Sequence, residues 1–339
     1  MVRVAINGFG RIGRIFFRVG FLREEMEIVA INDLGDIENL AYLLRHDSVY
    51  REWGHDVSVH EGKLIVDGKS IAFIQEKDPT KLPWKDLGVD VVVESTGFFE
   101  TFEKARAHVE AGAKRVVISA PAKDNECDDA KTILMGMNED DLNNVVVSSN
   151  GSCTTNSVHP AMQILNETIG VKKAMLTTVH AYTATQKLVD GPDKNDWRRG
   201  RAAAQNISPS TTGAAIAVTR VVKDLQGKFD GIAVRVPVIS GSLSTVVFLA
   251  GRPTTMEEVN SVLMNAEQSA QWKGVFKTTI DPLVSSDIIG ISYASLIDLS
   301  LTKVIDGDLV SIGAWYDNEM GYTHMLVEHV IKSGLCAQK

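Results

Sequence analysis

Cys153 stands out in this sequence because of its local setting. It lies in a polar run, residues 149–156 (SNGSCTTN), where a strand pattern gives way to a helix pattern. A sulfur atom at the start of a helix faces unpaired backbone N–H groups and the positive end of the helix dipole. We therefore expect this thiol to ionise more readily than a free cysteine and to act as a nucleophile.

A histidine follows in a position that suits a partner for this thiol. His180 ends a strand-like run, residues 174–180, which comes directly after the helix that Cys153 begins. A strand that returns after a helix brings its last residues back over the helix start, so Cys153 and His180 are predicted to form a nucleophile pair. Cys127 has acidic neighbours and Cys336 is near the chain end, so neither is predicted to react.

The elements before Cys153 follow an alternating pattern. Short runs that are apolar throughout and separated by helices are typical of a parallel sheet covered on both faces. The predicted strands are residues 2–6, 27–32, 89–95, 115–120 and 145–149, and the predicted helices are residues 11–22, 37–46 and 101–111. Shorter strands within residues 57–74 indicate an antiparallel insertion or edge.

The elements after Cys153 differ, since longer strands outnumber helices. The predicted strands are residues 172–182, 232–238, 243–250, 295–304 and 309–316, and the predicted helices are residues 154–168, 256–270 and 321–334. This pattern predicts an α+β domain with a mostly antiparallel sheet and helices on one side. Residues 184–205 form a long polar stretch, which in a compact domain is usually functional or part of an interface.

A glycine-rich turn follows the first predicted strand. Residues 8–13 (GFGRIG) match GxGxxG and open a helix, the context in which this motif binds a dinucleotide pyrophosphate. Asp33 ends the second strand, where a carboxylate accepts hydrogen bonds from an adenosine ribose and repels a 2′-phosphate. We therefore expect NAD rather than NADP.

Hydroxyl groups and arginines near His180 suggest anion binding. Arg198, Arg199 and Arg201 form a basic run in the polar stretch, which could equally be a solvated surface or a nucleic-acid patch. The groups that could bind a small anion with them are Thr183, Thr185, Ser210, Thr211, Thr212 and Arg235. Two such pockets near one thiol would suit a phosphorylated substrate and inorganic phosphate.

The composition limits the function classes. A chain of 339 residues suggests two domains, and a net charge of −8 argues against nucleic-acid or membrane-surface partners. No apolar run is long enough for a transmembrane helix. Three widely spaced cysteines favour a reducing, cytoplasmic location, and the histidine spacing predicts no metal site.

Together these motifs resemble the phosphorylating glyceraldehyde-3-phosphate dehydrogenase family over nearly the full chain. The matching segments are residues 7–14 (NGFGRIGR), 30–34 (AINDL), 94–99 (ESTGFF), 149–156, 180–183 (HAYT), 197–201 (WRRGR), 212–215 (TGAA) and 315–319 (WYDNE). The family's fold is an α/β Rossmann-type dinucleotide-binding domain plus an α+β catalytic domain with a mostly antiparallel sheet.

The resemblance also implies roles for individual residues. Cys153 would be the nucleophile and His180 its base. The substrate phosphate would bind Thr183, Thr185 and Arg235, and inorganic phosphate would bind Ser152, Thr212, Gly213 and Arg199, with Thr154 also in the phosphate-binding set. The residues lining NAD would be Gly8, Gly10, Arg11, Ile12, Asp33, Thr96, Ser119 and Asn318.

The resemblance further implies a domain arrangement and an oligomer. Residues 1–152 would bind NAD, residues 153–320 would form the catalytic domain, and the C-terminal helix, residues 321–339, would pack back on the first. The enzyme would be a homotetramer. The sequence departs from the family pattern at three positions: Gly151 replaces an alanine, Ile216 a lysine, and Met320 a threonine or tryptophan.

The implied reaction oxidises D-glyceraldehyde 3-phosphate to 1,3-bisphosphoglycerate with NAD and inorganic phosphate. An erythrose-4-phosphate dehydrogenase, which releases an acid by hydrolysis, is the nearest alternative. A semialdehyde dehydrogenase of amino-acid biosynthesis fits the cysteine box and anion residues less well. A non-catalytic redox sensor or RNA-binding module is disfavoured by the intact Cys153 and His180 and by the negative charge.

Overall fold

The structure is a computed structural model that describes residues 1–194 and 196–338. The chain divides into two compact units. Unit 1 consists of Met1–Gly151 and Thr323–Lys339, and unit 2 is Ser152–Tyr322. The boundary predicted from the sequence, between residues 152 and 153, lies one residue from this division.

Unit 1 is built on a nine-stranded sheet. Its strands are β1 (Val2–Asn7), β2 (Met26–Asn32), β3 (Val57–His60), β4 (Lys63–Val66), β5 (Lys69–Ile74), β6 (Val91–Glu94), β7 (Arg115–Ile118), β8 (Ala130–Thr132) and β9 (Val147–Ser149). Its helices up to this point are α1 (Arg11–Gly20), α2 (Ile37–Arg45), α3 (Phe102–Ala105) and α4 (Ala107–Glu110). The strand order is β3-β4-β5-β2-β1-β6-β7-β9-β8.

The centre of this sheet is parallel, as the apolar runs predict. β1 pairs in parallel with β2 and β6, and β6 pairs in parallel with β7. β6 is buried along its whole length because helices cover both faces of such a sheet. The hairpins of β3, β4 and β5 are antiparallel, and β5 joins the sheet beside β2.

The predicted helix over residues 101–111 is two short helices in the structure. Arg106 lies between α3 and α4, and its backbone N–H is shared between the carbonyls of Phe102 and Glu103 at 3.2 and 3.3 Å. A shared N–H of this kind marks a tighter turn that interrupts the α-helical bonding. The single-helix prediction was therefore wrong at this residue.

Unit 2 contains a seven-stranded sheet. Its strands are β10 (Val171–Ala181), β11 (Ser208–Thr211), β12 (Phe229–Val236), β13 (Ser242–Ala250), β14 (Phe276–Thr279), β15 (Ser295–Ile305) and β16 (Leu309–Tyr316). Its helices are α5 (Cys153–Thr168), α6 (Ala214–Val221) and α7 (Met256–Glu267). The strand order is β11-β12-β10-β13-β16-β15-β14.

This second sheet is mixed but mostly antiparallel. Within this sheet, only the β10–β12 and β14–β15 pairs of the described strands are parallel. Helix α5 contacts β10, β13, β15 and β16 and is buried along most of its length, so it covers one face of the sheet. The last helix, α8 (Met320–Ala337), lies in unit 1 from Thr323 onward.

Candidate active site

Cys153 is the first residue of helix α5. Ser152 caps this helix, and its side-chain oxygen accepts a hydrogen bond from the backbone N–H of Thr155 at 3.0 Å. A cap of this kind satisfies one of the N–H groups that a helix start leaves open. The backbone N–H groups of Cys153 and Thr154 therefore begin the helix beside the thiol.

His180 faces the thiol because of its parity in strand β10. Alternate residues of a strand lie on the same face, and Leu176, Thr178 and His180 are all buried on the face that α5 covers. His180 Nε2 lies 3.4 Å from Cys153 Sγ. The pairing predicted from the sequence is thus present in the structure as a short contact.

The other ring nitrogen of His180 has two close neighbours. Nδ1 lies 2.7 Å from the carbonyl oxygen of Ala181, which only accepts hydrogen bonds. Arg235 pairs with His180 across β10 and β12 and places Nη1, which only donates, 2.5 Å from Nδ1 and 3.0 Å from the same carbonyl oxygen. A positive charge therefore faces the imidazole on the side away from the thiol.

Burial governs the protonation of both groups. Burial, with the Arg235 charge as the second cause, lowers the pKa of His180 to about 3, so the imidazole is neutral at neutral pH. Burial also raises the pKa of the Cys153 thiol, although Arg235 and hydrogen bonds from Thr154 act to lower it. The expectation of a readily ionised thiol was wrong because desolvation outweighs the charges and the helix start.

A hydrogen-bonded cluster of buried hydroxyl groups lies next to the Cys153–His180 pair. The hydroxyl of Tyr316 lies 2.9 Å from Thr154 Oγ1 and 2.7 Å from Thr178 Oγ1. The Tyr316 ring packs edge-on against the His180 ring, with 5.9 Å between centroids. The sequence analysis did not single out Tyr316, although its place in the WYDNE segment at the buried end of β16 could have indicated it.

The predicted anion-binding residues lie in the same unit. Thr183 Oγ1 and Thr185 Oγ1 are 2.9 Å apart, and Arg199 Nη2 donates to Ser210 Oγ at 3.3 Å. Burial, and to a smaller extent the like charge of Arg199, lowers the pKa of Arg235.

The remaining predicted residues of unit 2 are at helix starts and strand ends. Thr212 Oγ1 accepts from the backbone N–H of Ala214 at 3.2 Å, and Gly213 is the N-terminal cap residue of α6. Thr154 directs its hydroxyl to Tyr316, so its backbone rather than its hydroxyl is available at the helix start. Asn318 is buried, and its Oδ1 accepts from Gly241 N and Ser242 Oγ.

Unit 1 has a cavity of about 420 Å³ at the carboxyl ends of β1, β2 and β6. This is the edge where parallel α/β sheets bind ligands. The lining includes four of the predicted cofactor residues, Gly8, Gly10, Asp33 and Thr96. The sequence analysis did not predict the other lining residues, which are Asn7, Asn32, Leu34, Glu76, Lys77, Pro79, Ser95, Phe98 and Phe99.

The three glycines of the motif have different surroundings. Gly8 has φ +97°, and a Cβ there would lie 2.7 Å from the backbone of Ser95. A Cβ on Gly13 would lie 2.1 Å from the carbonyl oxygen of Gly8. A Cβ on Gly10 would meet none of the described atoms within 4 Å. Close packing within the protein therefore explains why residues 8 and 13 are glycines. The space at Gly10 instead fits the close approach of a pyrophosphate.

Asp33 holds the glycine-rich turn in place. Its two carboxylate oxygens accept from the backbone N–H of Phe9 at 2.7 Å and from that of Gly35 at 2.8 Å. Gly10 is the N-terminal cap residue of α1, and as a glycine it has no side chain that could bond to the N–H groups at this helix start. A helix start beside this cavity suits a phosphate group, so the residues present fit NAD.

The other three predicted cofactor residues of unit 1 are not among the residues that line the cavity. Arg11 forms an ion pair with Asp47, Ile12 is in the first turn of α1, and the backbone N–H of Ser119 donates to the Glu94 carbonyl at 2.9 Å. In residues 1–194 and 196–338 no group of three or more histidine, cysteine, aspartate or glutamate side chains could hold a metal ion. That part of the chain also has no helix with the length and apolar character needed to span a membrane.

Comparison with known proteins relates both units to one family. Residues 2–102 match the model described as glyceraldehyde 3-phosphate dehydrogenase, NAD binding domain, and residues 152–318 match its C-terminal domain. The chain is 50% identical over 331 residues to glyceraldehyde-3-phosphate dehydrogenase of Thermotoga maritima, covering 97% of this chain and 98% of that protein. It is 48% identical over 332 residues to the enzyme of Clostridium acetobutylicum, covering 96% and 97%.

A third relative agrees. The chain is 47% identical over 339 residues to glyceraldehyde-3-phosphate dehydrogenase 1 of Bacillus subtilis, covering 98% of this chain and 99% of that protein. These matches and the two sheets confirm the resemblance, the predicted fold class and NAD as cofactor. The chain belongs to the glyceraldehyde-3-phosphate dehydrogenase family and is an NAD-dependent dehydrogenase.

Proposed function

We propose that Cys153 and His180 oxidise D-glyceraldehyde 3-phosphate to 1,3-bisphosphoglycerate, using NAD and inorganic phosphate. The observation that carries this proposal is the 3.4 Å contact between Cys153 Sγ and His180 Nε2 at the start of α5. A thiol next to a neutral imidazole is a nucleophile with its base already in place. The erythrose-4-phosphate dehydrogenase alternative has no support from the relatives found.

The first step is attack of the Cys153 sulfur on the aldehyde carbon. A C–S bond forms, the thiol proton moves to His180 Nε2, and the carbonyl oxygen becomes an oxyanion. The backbone N–H of Cys153 and the protonated imidazole are the donors that would stabilise this oxygen. Because the thiol is neutral at rest, proton transfer accompanies the attack.

In the second stage a thioester forms, and it retains part of the free energy of aldehyde oxidation. The chemistry that bound NAD supplies is hydride acceptance, which converts the hemithioacetal on Cys153 to a thioester. His180 returns its proton to the oxyanion to give the hemithioacetal hydroxyl, and it takes that proton again as the carbonyl forms. A phosphate oxygen then attacks the thioester carbon, the C–S bond breaks, and the thiolate leaves with the acyl phosphate as product.

We propose that the anion-binding residues divide into two sets. Thr183, Thr185 and Arg235 bind the substrate phosphate, supported by the 2.9 Å contact between the two threonine hydroxyls. The set proposed for inorganic phosphate is Ser152, Thr154, Arg199, Thr212 and Gly213. Two helix starts, those of α5 and α6, contribute to this second set, and helix starts favour anions.

For the cofactor we propose that residues 1–152 provide most of the NAD site, with residues 153–320 as the catalytic domain and residues 321–339 returning to the first. Gly10 and the start of α1 would hold the pyrophosphate, and Asp33 the adenosine ribose. Asn318 would hold the nicotinamide amide. The other proposed contacts are Gly8, Arg11, Ile12, Thr96 and Ser119.

A steady-state assay tests the reaction. Purified protein should reduce NAD only when D-glyceraldehyde 3-phosphate and inorganic phosphate are both present, and NADP should be a much poorer substrate. Arsenate in place of phosphate is a control, because it attacks the same thioester. A rate that does not depend on phosphate, with erythrose 4-phosphate as the better substrate, would favour the hydrolytic alternative.

We also propose a homotetramer in the cytoplasm. The face of the second sheet opposite α5 carries exposed apolar side chains, and a contiguous patch of this kind marks an interaction surface. They are Met175, Ile232, Val247, Leu301 and Ile305. The three cysteines, all in the described part of the chain, are free thiols, as is usual in a reducing compartment.

Light scattering after gel filtration tests the oligomer. The wild type should have about four times the 37.0 kDa mass of the chain. Val247→Glu places a charge in the middle of the exposed face and should lower the mass, whereas Glu167→Gln on helix α5 should not. A wild-type protein that is monomeric at micromolar concentration would contradict the proposal.

A further inference from the structure

Behind the wall of the unit 1 cavity lies a buried polar chain that the reaction chemistry does not use. It consists of Trp84, His108, Glu94 and Asn7, of which no side chain is more than 2% exposed. Trp84 and His108 are outside every sequence motif identified above, and Glu94 opens the ESTGFF segment. Burying a polar group costs free energy of folding unless its hydrogen bonds are all made, so a buried polar chain calls for a functional or structural explanation.

The directions of the hydrogen bonds along this chain are determined by chemistry. The indole Nε1 of Trp84 only donates, and it lies 3.1 Å from His108 Nδ1, which must therefore accept. His108 Nε2 then carries the proton and donates to Glu94 Oε2 at 3.0 Å. Trp84 thus fixes the tautomer that lets His108 bond to Glu94.

The Glu94 carboxyl group connects this chain to the cavity lining through further hydrogen bonds. Oε2 also accepts from Asn7 Nδ2 at 2.6 Å, and Oε1 accepts from the backbone N–H of Thr96 at 2.8 Å and from its hydroxyl at 2.5 Å. His108 packs edge-on against Phe99, with 6.1 Å between ring centroids. Asn7, Thr96 and Phe99 all line the cavity.

The chain continues along the other wall. Asn7 Oδ1 accepts from Asn32 Nδ2 at 2.7 Å, and Asn32 Oδ1 accepts from the backbone N–H of Glu76 at 2.9 Å. Asn32 and Glu76 are lining residues as well. One continuous network therefore fixes polar groups on both sides of the space proposed for NAD.

We propose that Glu94 and His108 are positioning residues for NAD: they hold Asn7, Thr96 and Phe99 in the arrangement that binds the cofactor. This inference rests on the proposal that this cavity is the NAD site. A lining that is already ordered loses less conformational freedom on binding, which raises affinity without any direct contact. The network should therefore affect NAD affinity more than it affects the chemistry at Cys153.

Glu94→Gln tests this with little change in shape. A glutamine amide has one acceptor oxygen, so its NH₂ group must face either the Thr96 donors or the Asn7 and His108 donors. Loss of one such buried bond corresponds to about a tenfold rise in the Kd for NAD, measured by calorimetry on the folded protein. The KM for NAD should rise with it, while kcat at saturating NAD and the KM for the aldehyde stay near the wild-type values.

Further variants separate positioning from folding. His108→Gln retains one donor and one acceptor and should preserve NAD affinity better than His108→Leu. Trp84→Phe keeps an aromatic ring but removes the donor that fixes the tautomer, so it should weaken NAD binding without an acidic group being changed. Asp298→Asn is the matched control, because Asp298 is a buried carboxyl in unit 2 that accepts from Ser300 and Trp315.

The outcomes are distinct. A higher Kd for NAD in Glu94→Gln and Trp84→Phe, with an unchanged Kd in Asp298→Asn, supports the inference. Lower melting temperatures with wild-type Kd values in all three would overturn it and make the network purely structural. If the wild type itself does not bind NAD, or if Asp33→Ala does not affect NAD binding, the proposed cofactor site fails instead.

Discussion

At the scale of single residues, the active thiol is defined by two opposing effects. The start of α5 and Arg235 favour a thiolate, but burial favours the neutral thiol and raises its pKa. The same burial keeps His180 neutral, and the lowered pKa makes its imidazole a weaker base than a free histidine. Both groups are therefore neutral at rest, and the proposed attack has to transfer the thiol proton to His180 as the C–S bond forms.

Cys153→Ser should remove nearly all turnover while NAD binding is retained. A hydroxyl is a far weaker nucleophile than a thiol, and an oxygen ester does not keep the oxidation energy as a thioester does. We expect kcat to fall by at least about a thousandfold. The assay is NAD reduction in the presence of phosphate, with the Kd for NAD as the control for folding. Dehydrogenase activity within tenfold of wild type would contradict the role of the thiol.

Gly151 is the departure from the family pattern that lies nearest the nucleophile. Its φ is +63°, a left-handed conformation that glycine adopts without strain. Glycine at this position therefore relieves a strain that the family's usual alanine would bear. The turn that leads to Cys153 therefore has the residue that its backbone conformation favours.

Gly151→Ala should accordingly lower stability more than activity. A non-glycine residue in this region costs about 1–2 kcal/mol, so we expect the unfolding free energy to fall by about 1 kcal/mol. The measurement is urea unfolding, and kcat should stay within about threefold of wild type because relatives tolerate alanine. An unfolding free energy equal to or higher than that of wild type would contradict this account.

At the scale of elements, two local rules place the site residues. Strand parity puts His180 on the buried face of β10 with Thr178, while the capped start of α5 presents Cys153 to the same face. In unit 1 the turn between β1 and α1 forms because Gly8 allows a positive φ and Gly13 allows close packing. Strand β10, helix α5 and the β1–α1 turn each place one functional group at the end of a sheet.

Gly10→Ala separates ligand binding from packing in the β1–α1 turn. The added Cβ meets none of the described atoms within 4 Å, so the melting temperature should remain near that of wild type. The methyl group would occupy space proposed for the pyrophosphate, so the Kd for NAD should rise at least about tenfold. Gly13→Ala is the contrast, since its Cβ would strike the Gly8 carbonyl and should destabilise the fold. Unchanged NAD affinity in Gly10→Ala would refute the placement of the pyrophosphate.

At the scale of the whole molecule, buried neutral histidines make the fold sensitive to acid. His329 on α8 is fully buried, donates from Nδ1 to Asn150 Oδ1 at 3.0 Å and contacts Ser148 Oγ at 2.8 Å. Burial, with Lys332 as a smaller cause, lowers the pKa of His329 from 6.5 to about 3. His180 has a pKa lowered to the same extent.

The sign of the effect follows from proton counting. Between about pH 6.5 and 3 the unfolded chain binds a proton at each of these histidines and the folded chain does not. The unfolding free energy therefore falls as the pH falls through this window, with a slope of about 1.4 kcal/mol per pH unit for each histidine. His329→Gln should show a flatter dependence in urea unfolding below about pH 6. An unchanged slope would mean that His329 does not contribute to acid unfolding.

The sequence by itself determined which residues could react and what type of fold holds them. Alternation of apolar runs with helices predicted the parallel sheet, and the GxGxxG spacing together with Asp33 predicted a dinucleotide turn. The SNGSCTTN segment placed a thiol at a helix start. These features are local, so chain order and residue type are enough to predict them.

Only the tertiary structure decided the properties that depend on burial and on residues far apart in the chain. The thiol pKa rises because of desolvation, which no neighbour in sequence reveals, and the Tyr316 hydroxyl network joins strands that are far apart in the chain. The same holds for the chain from Trp84 through His108 to Glu94. Solvent exclusion and long-range hydrogen bonds arise only when the elements pack together, so a linear pattern contains no signal for them.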